Sequence, residues 1–205
     1  MNIYLQRAQD ALAEATRGMD AAQLTRHPEG KWSTAEILEL LDRTYRTTVP
    51  HLQKCLDAGQ PTAGRPTFAQ RLVVGIVVGV GYMPGGRKAP EYAVPRGLPP
   101  DEVLRNLPAH IADMDKVLAE CERRFGAYRK LANHFVLGPL TAQEWCKFHW
   151  IHTRHHIRQI ARLITAAPLG NQPLPRPRSC SSEYFVPRHT TPPCHIVDAI
   201  ERNSA

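Results

Sequence analysis

Apolar residues recur at spacings of three and four along four stretches of this chain. Such spacing places them on one face of an α-helix, so the pattern predicts four long helices and an all-α fold. The predicted helices cover residues 3–18, about 33–58, about 101–125 and 141–166.

Two of the predicted helices begin with a recognisable cap. Ser33–Glu36 (STAE) and Thr141–Glu144 (TAQE) match the capping box, in which a hydroxyl and a carboxylate satisfy free N–H groups of the first turn. Asp101 follows two prolines and suits the N-cap of the third long helix after residue 100. Pro50 lies inside the second helix, so we expect a kink or a break near Val49.

The stretches between these helices are less regular. For residues 72–80 (LVVGIVVGV) the composition favours a buried strand, but a helix is also compatible, with Gly75 and Gly79 allowing a close neighbour. Residues 85–100 are predicted to form a glycine- and proline-rich loop without a phosphate-binding pattern. His134 lies in a connection over residues 126–140 and is interpreted as a solvated loop residue or, alternatively, a pocket-lining one.

The composition changes after the last predicted helix. Residues 168–205 are rich in proline and poor in apolar residues, which predicts an extended or disordered tail with one or two helical turns at 194–202. The predicted organisation is therefore a helical domain over residues 1–167 followed by a tail over 168–205.

Charge and cysteine content narrow the class of protein. The chain has 205 residues, a net charge of +7 and five widely spaced cysteines without a CxxC motif. The odd cysteine count predicts reduced thiols in a cytoplasmic protein. No signal peptide or 20-residue apolar run is visible, so no membrane is expected as a partner. The positive charge favours anionic partners, but basic residues do not alternate with aromatics, which leaves nucleic acid the least favoured partner.

Histidines lie on the apolar face of the last predicted helix. With His156 at zero and 100° per residue, His149 falls at about +20°, His152 at about −40° and Trp145 at about −20°. His152 and His156 are one turn apart, with Cβ atoms about 6 Å from each other, so both rings can reach one ion. The alternative is a pair of neutral, hydrogen-bonded imidazoles. His149 is about 10 Å along the axis from His156 and is interpreted as core or pocket wall.

Three segments together resemble the DinB superfamily, over about residues 3–166 and in the same order. They are KWSTAEILELLDRTYR (31–46), GRKAPEYAVPRGLPP (86–100) and LTAQEWCKFHWIHTRHHIRQI (140–160). The nearer branch consists of DinB-like proteins without an assigned function. The resemblance implies an up-and-down four-helix bundle, often a homodimer, with zinc or nickel held by three histidines, one from the second helix and two from the last.

The resemblance places the two ligands of the last helix at His152 and His156, but the second-helix position is Leu40. Leucine has no lone pair, and a catalytic zinc normally keeps three protein ligands. The site is therefore expected to be vestigial, weak, or completed from elsewhere, while Glu36 is engaged by its capping box. Leu40 lies about 100° from Leu41, outside the apolar cluster, which fits a former ligand position.

Two functions follow from the resemblance. The first is a divalent-metal-dependent thiol transferase or hydrolase-like enzyme using a low-molecular-weight thiol such as mycothiol, bacillithiol or glutathione, whose pKa the metal lowers. His149 and Gln159 would then line the cofactor pocket or orient the ligands. The alternative is a non-catalytic DinB-like protein that binds a small molecule or another partner.

Overall fold

Helices dominate the computed structural model, which describes residues 1–27, 30–85 and 88–165. The predominantly helical fold is thereby confirmed, while the predicted tail over 168–205 lies outside the described residues. The helices are α1 (Ile3–Ala15), α2 (Ala21–Thr25), α3 (Thr34–Asp57), α4 (Phe68–Val74), α5 (Pro100–Phe125) and α6 (Ala142–Thr165). A π-helical segment (Gly75–Val80) continues α4, and a 3-10 turn (Glu91–Ala93) lies before α5. The strands β1 (Ala132–His134) and β2 (Gly138–Leu140) form an antiparallel hairpin.

Helix α3 continues through Pro50, so a break near Val49 is wrong, while the alternative, a kink, stays a prediction. Leu52 and Cys55, which follow the proline, are fully buried. Tertiary packing of an apolar face contributes most of a helix's stability in a protein, and here it offsets the cost of a hydrogen bond that proline cannot donate. Pro108 lies inside α5 in the same way.

The apolar stretch over residues 72–80 is helical, which settles the alternatives left open by its composition. Thr67 caps α4, since its side chain accepts from the backbone N–H of Gln70, and the Gln70 side chain accepts from Thr67 N–H. The helix passes into the π-helical segment at Gly75 and ends at Gly81, whose φ is +78°. No helix among the described residues is both long and apolar enough to cross a bilayer.

The long helices pack in pairs, α3 along α5 and α1 along α6, with α6 also touching α3 and α5. Helices α3 and α6 run antiparallel: Tyr45 stacks on His149, whereas Cys55, further along α3, meets the carbonyl of Leu131, ahead of α6. The core between the helices is aliphatic with a few larger side chains. It includes Leu5, Leu38, Leu41, Tyr45, Leu52, Ile111, Met114, Leu118 and Ile160.

A buried carboxylate on α3 fixes the loop that leads into α5. Glu39 is 1% exposed, and its two oxygens accept three consecutive backbone N–H groups, those of Arg96 at 2.7 Å, Gly97 at 2.9 Å and Leu98 at 3.0 Å. The carboxylate compensates for its burial with charge-assisted hydrogen bonds. We call this arrangement the Glu39 clamp.

The hairpin before α6 depends on a glycine. Gly138 has a φ of +71°, a conformation that residues with a Cβ rarely adopt. A Cβ there would lie 2.6 Å from Oε1 and 2.8 Å from Nε2 of Gln70. Position 138 therefore requires glycine both for its backbone and for the close approach of the Gln70 side chain.

Candidate functional site

The predicted capping box at the start of α6 is present. The backbone N–H of Thr141 donates to Oε2 of Glu144 at 2.7 Å, and that of Glu144 donates to the Thr141 hydroxyl at 3.2 Å. Lys130 also donates to the Glu144 carboxylate, at 2.8 Å to Oε1. These contacts fix the N-terminal turn of α6 and with it the direction in which the following side chains point.

Helix α6 turns its histidines towards the interior, as its period predicts. His149 and His156 are buried, at 1% and 8% exposure, and the His152 ring lies between them. We call His149, His152 and His156 the histidine row. Aromatic neighbours enclose it: Tyr45 from α3 stacks on His149 with ring centroids 4.7 Å apart, and Phe148 stacks on His152 at 5.6 Å.

Hydrogen bonds connect the histidine row to Gln159 and His155. Nδ1 of His156 lies 2.8 Å from Oε1 of Gln159, and with the Gln159 amide in this orientation Nδ1 carries the proton. In neutral His156 the Nε2 atom is then an acceptor, and it lies 3.0 Å from Nε2 of His152, which donates. Gln159 in turn donates from Nε2 to Nε2 of His155 at 3.2 Å. The series of hydrogen bonds therefore runs from His152 through His156 and Gln159 to His155.

Three buried polar atoms beside these hydrogen bonds have no hydrogen-bond partner among the described residues. They are Nδ1 of His152, Nε2 of His149 and Nε1 of Trp145. By the tautomers above, Nδ1 of His152 is an acceptor, while the indole nitrogen can only donate. Leaving such groups unpaired is costly, so these three atoms are the polar positions at the row that the described side chains do not satisfy.

Burial keeps the row uncharged at neutral pH. Desolvation lowers the pKa of His149 to about 3 and that of His156 to about 4, the latter despite the opposing hydrogen bond to Gln159. The pKa of His152 is also lowered well below its ordinary value, first by burial and then by neighbouring histidines. The row therefore acts through neutral imidazoles, which donate and accept hydrogen bonds but supply no positive charge.

The donor set at the row is incomplete for the metal that the sequence comparison implies. His152 and His156 bring two ring nitrogens together, and Gln159 orients His156 as a second-layer group would. Across the described ranges, however, no group of three His, Cys, Asp or Glu side chains is arranged to hold a metal ion. Two imidazoles do not match a centre with three protein ligands, and no chemical step through a metal follows from these residues.

Leu40 is buried on α3 at 3% exposure. It lies five residues before Tyr45, and because α3 and α6 are antiparallel, this corresponds to the axial level of His152 and His156. Its burial is not special, since α3 is buried on every side over residues 34–35 and 37–42. Its position outside the apolar cluster therefore does not by itself identify a former ligand. Glu36 accepts the Ser33 N–H at 2.6 Å, as its capping box requires.

His134 is not the solvated loop residue that its position suggested. It ends β1, and its Nδ1 accepts the backbone N–H groups of Val136 and Leu137, each at 3.1 Å. Its ring packs edge-on against Phe148 with centroids 4.5 Å apart, and burial lowers its pKa to about 3. His134 therefore closes the hairpin turn and extends the aromatic surroundings of the row.

A second polar pair, which the helical period did not indicate, joins α3 to α5. Asp42 is buried at 2% exposure, and Nδ1 of His110 lies 2.5 Å from its Oδ1. Arg46 approaches the same carboxylate at 3.9 Å. The sequence could not reveal the pair, because its two residues are 68 positions apart and each lies on the polar side of its helix.

Two surface clefts lie elsewhere on the molecule. One, of about 240 Å³, is lined by residues including Asp115 and Cys146, and the other, of about 330 Å³, lies beside Gly18 and Leu163. Neither is lined by the histidine row, whose polar atoms are enclosed by packed side chains.

Comparison with known proteins agrees with this geometry at the level of the family. Neither the curated proteins nor the solved structures include a match to the chain. A family model described as the DinB superfamily matches residues 4–160, which contain both the capped α3 and the histidines of α6. The chain belongs to the DinB superfamily.

Proposed function

We propose that this protein is a non-catalytic member of its superfamily that acts by binding a partner, with the metal position closed by hydrogen bonds between its own side chains. The observation that carries the proposal is the contact of 3.0 Å between the Nε2 atoms of His152 and His156. This bond uses the lone pair of His156 that a metal would need.

The electrostatics of the row support the same proposal. The depressed pKa values of His149 and His156 leave both rings neutral, and a neutral ring costs far less to bury than a charged one. Leu40 contributes an aliphatic side chain from α3 instead of a third nitrogen. The row therefore serves mainly to organise the interior between α3 and α6.

We also infer the up-and-down bundle of four long helices that the family implies, formed by α1, α3, α5 and α6. The pairing of α3 with α5 and of α1 with α6 supports it, as does the antiparallel course of α3 and α6. Such a bundle places the inward-facing side chains of α6 on its axis.

A second candidate is the metal-dependent thiol transferase, and one observation favours it. The Gln159 carbonyl holds the proton of His156 on Nδ1 and so directs a lone pair on Nε2 towards His152. If the proton of His152 were on Nδ1 instead of Nε2, the Nε2 lone pairs of both histidines could face one zinc or nickel ion. A bound metal would there lower the pKa of a thiol or water, and Gln159 would orient its ligand.

Metal content separates the two candidates. The full chain is purified without a histidine tag, analysed by mass spectrometry of its metals, and titrated with zinc by calorimetry. We expect far less than one equivalent of bound metal and no binding tighter than micromolar. One equivalent of zinc or nickel surviving dialysis, lost in His156→Ala, would establish the metal-dependent candidate instead.

Leu40→His tests whether the missing donor is what opens the metal position. The substitution adds a third imidazole at the axial level of the pair, and we expect it to raise zinc affinity by at least tenfold. The matched control, Leu40→His with His152→Ala, keeps the new histidine and should remain metal-free. Equal zinc binding by both variants would show that residue 40 does not act with the row.

A further inference from the structure

An exposed apolar stripe runs along α4 and the π-helical segment. It consists of Phe68, Leu72, Ile76 and Val80, which are 84%, 57%, 41% and 80% exposed, and Tyr82 follows at 60%. We call these five residues the apolar stripe. Large apolar side chains this exposed and this regularly spaced mark a binding surface.

The opposite side of the same segment already has its partner within the fold. Val77 and Val78 are buried, and Val73 and Val74 pack partly against the core. The segment also touches α6, where Arg154 donates to the carbonyl of Gly81 at 2.7 Å. The apolar stripe is therefore not the core-facing side of this helix, and the packing of the described residues does not explain it.

The π-helical segment keeps the stripe on one face. In an α-helix, residues four apart drift by about 40°, so a long i, i+4 series spirals away. A π-helix forms i to i+5 hydrogen bonds and turns less per residue, which reverses this drift. The helix changes from α to π at Gly75, between Leu72 and Ile76. Ile76 and Val80 therefore turn back towards the face that carries Phe68 and Leu72.

The surroundings of the stripe are basic. From residue 58 to residue 90 the sequence contains no Asp or Glu and four basic residues, Arg65, Arg71, Arg87 and Lys88. Arg65, Arg71 and Lys88 are exposed, and Lys147 of α6 reaches the carbonyl of Gly79 at 3.4 Å. An exposed apolar line carried by a basic, acid-free segment complements an anionic surface.

We propose that the apolar stripe docks this protein onto an anionic lipid bilayer, with the helix lying in the plane of the headgroups. The seven residues of α4 and six of the π-helical segment are too few to span a bilayer, but they suit interfacial insertion. The aromatic rings of Phe68 and Tyr82 lie at the two ends of the stripe, and aromatic side chains are favoured at the headgroup level. The proposal departs from the expectation, drawn from the sequence alone, that no membrane is a partner.

A second copy of the chain fits the stripe less well. A symmetric dimer across this face would bring two acid-free, basic segments together, and each would lack a negative partner. Anionic headgroups supply that partner, and acyl chains accept the aliphatic side chains. The proposal does not depend on the histidine row, so the metal experiments above leave it unaffected.

The test uses the full chain and extruded vesicles in a flotation assay. Vesicles of phosphatidylcholine alone are compared with vesicles containing 30% phosphatidylglycerol, at about 0.1 M and 0.5 M salt. We expect flotation only with the anionic vesicles, weakened by the higher salt. Leu72→Gln with Ile76→Gln should reduce binding at least tenfold, and Arg65→Gln with Arg71→Gln should reduce it by about fivefold for each charge removed.

Ile164→Gln is the matched control, since Ile164 is 50% exposed but lies at the end of α6. It should float as the unchanged protein does, and circular dichroism should show the same helicity for all variants. Three results would overturn the proposal. The first is that the unchanged protein does not float with anionic vesicles. The second is that the Leu72 and Ile76 double variant floats as well as the unchanged protein does. The third is that the unchanged protein binds no vesicles but is a dimer in light scattering, and the double variant is a monomer.

Discussion

Acid should destabilise this protein between pH 7 and pH 5, through its buried histidines. The pKa values of His134, His149 and His156 are lowered by burial to about 3, 3 and 4. In the unfolded chain each histidine has a pKa of about 6.5, so the unfolded state takes up protons first as the pH falls. The stability that these neutral rings contribute is therefore complete above pH 6.5 and is lost between there and about pH 4.

The magnitude follows from the size of these shifts. A histidine that titrates near 6.5 when unfolded and near 3 to 4 when folded makes unfolding easier by about 2 kcal/mol between pH 7 and pH 5. Three such groups predict a loss of about 6 kcal/mol, and His152, whose pKa is shifted in the same direction, adds to it. Since a domain of this size is stable by only about 5–15 kcal/mol, much of its stability should disappear over two pH units.

The assay is urea unfolding followed by tryptophan fluorescence at pH 7.0, 6.0 and 5.0. His149→Phe keeps a ring to stack on Tyr45 and removes the unpaired Nε2 atom. This variant should be within about 1 kcal/mol of the unchanged protein at pH 7 and should lose about 2 kcal/mol less on going to pH 5. His27→Gln, at an exposed position, should follow the unchanged protein throughout.

Two results would refute the reasoning about neutral buried imidazoles. One is a free energy of unfolding that stays constant from pH 7 to pH 5. The other is a pH dependence of His149→Phe identical to that of the unchanged protein, since the ring at position 149 would then not be held neutral by burial.

The remaining predictions concern the loops, and both use urea unfolding at pH 7.5. Glu39→Gln removes one acceptor oxygen of the Glu39 clamp and should destabilise the fold by about 2–4 kcal/mol. The control, Glu120→Gln, removes only an exposed ion pair with Arg123 and should have a much smaller effect. Equal effects of the two substitutions would contradict a structural role for the clamp. Gly138→Ala should cost about 2–4 kcal/mol from its positive φ and the displaced Gln70 side chain. Gly18→Ala shares the positive φ, at +72°, but has open space around it, so it should cost about 1–2 kcal/mol, and an equal loss would mean that the Gln70 contact is unimportant.

The helices and the inward face of α6 could be read from the sequence because they depend on near neighbours. The spacing of His149, His152 and His156 follows from the helical period alone, and the Thr141 and Glu144 cap is contained in four residues. The same period could not decide between strand and helix for residues 72–80, where apolar residues lie on both sides. The roles of the site residues stay predictions.

Contacts between distant residues explain what was missed. On a helical projection Glu39 and Asp42 belong to the polar side of α3, which predicts exposure to water. Both are buried, because the loop at residues 96–98 and His110 of α5 cover that side. The solvated alternative for His134 failed for a similar reason, since its ring is partly covered by Phe148 and by a hairpin three residues long in each strand. The pattern of neighbouring residues cannot predict contacts with residues that are far away in the sequence.

The Glu39 clamp has a consequence for how this surface can diverge. Residues 95–100 read PRGLPP, so the three residues that are not proline are the ones whose main-chain nitrogens the carboxylate engages. Proline holds its own φ narrowly, which limits the paths open to the chain on both sides of that tripeptide. Because the carboxylate recognises main-chain atoms alone, it sets no requirement on the exposed side chain of Arg96. The chemistry at position 96 can therefore change while the course of the loop is kept, provided that position 39 stays acidic, position 97 stays glycine for its φ of +83°, and no further proline enters. Leu98 is constrained separately, because its side chain packs against the core.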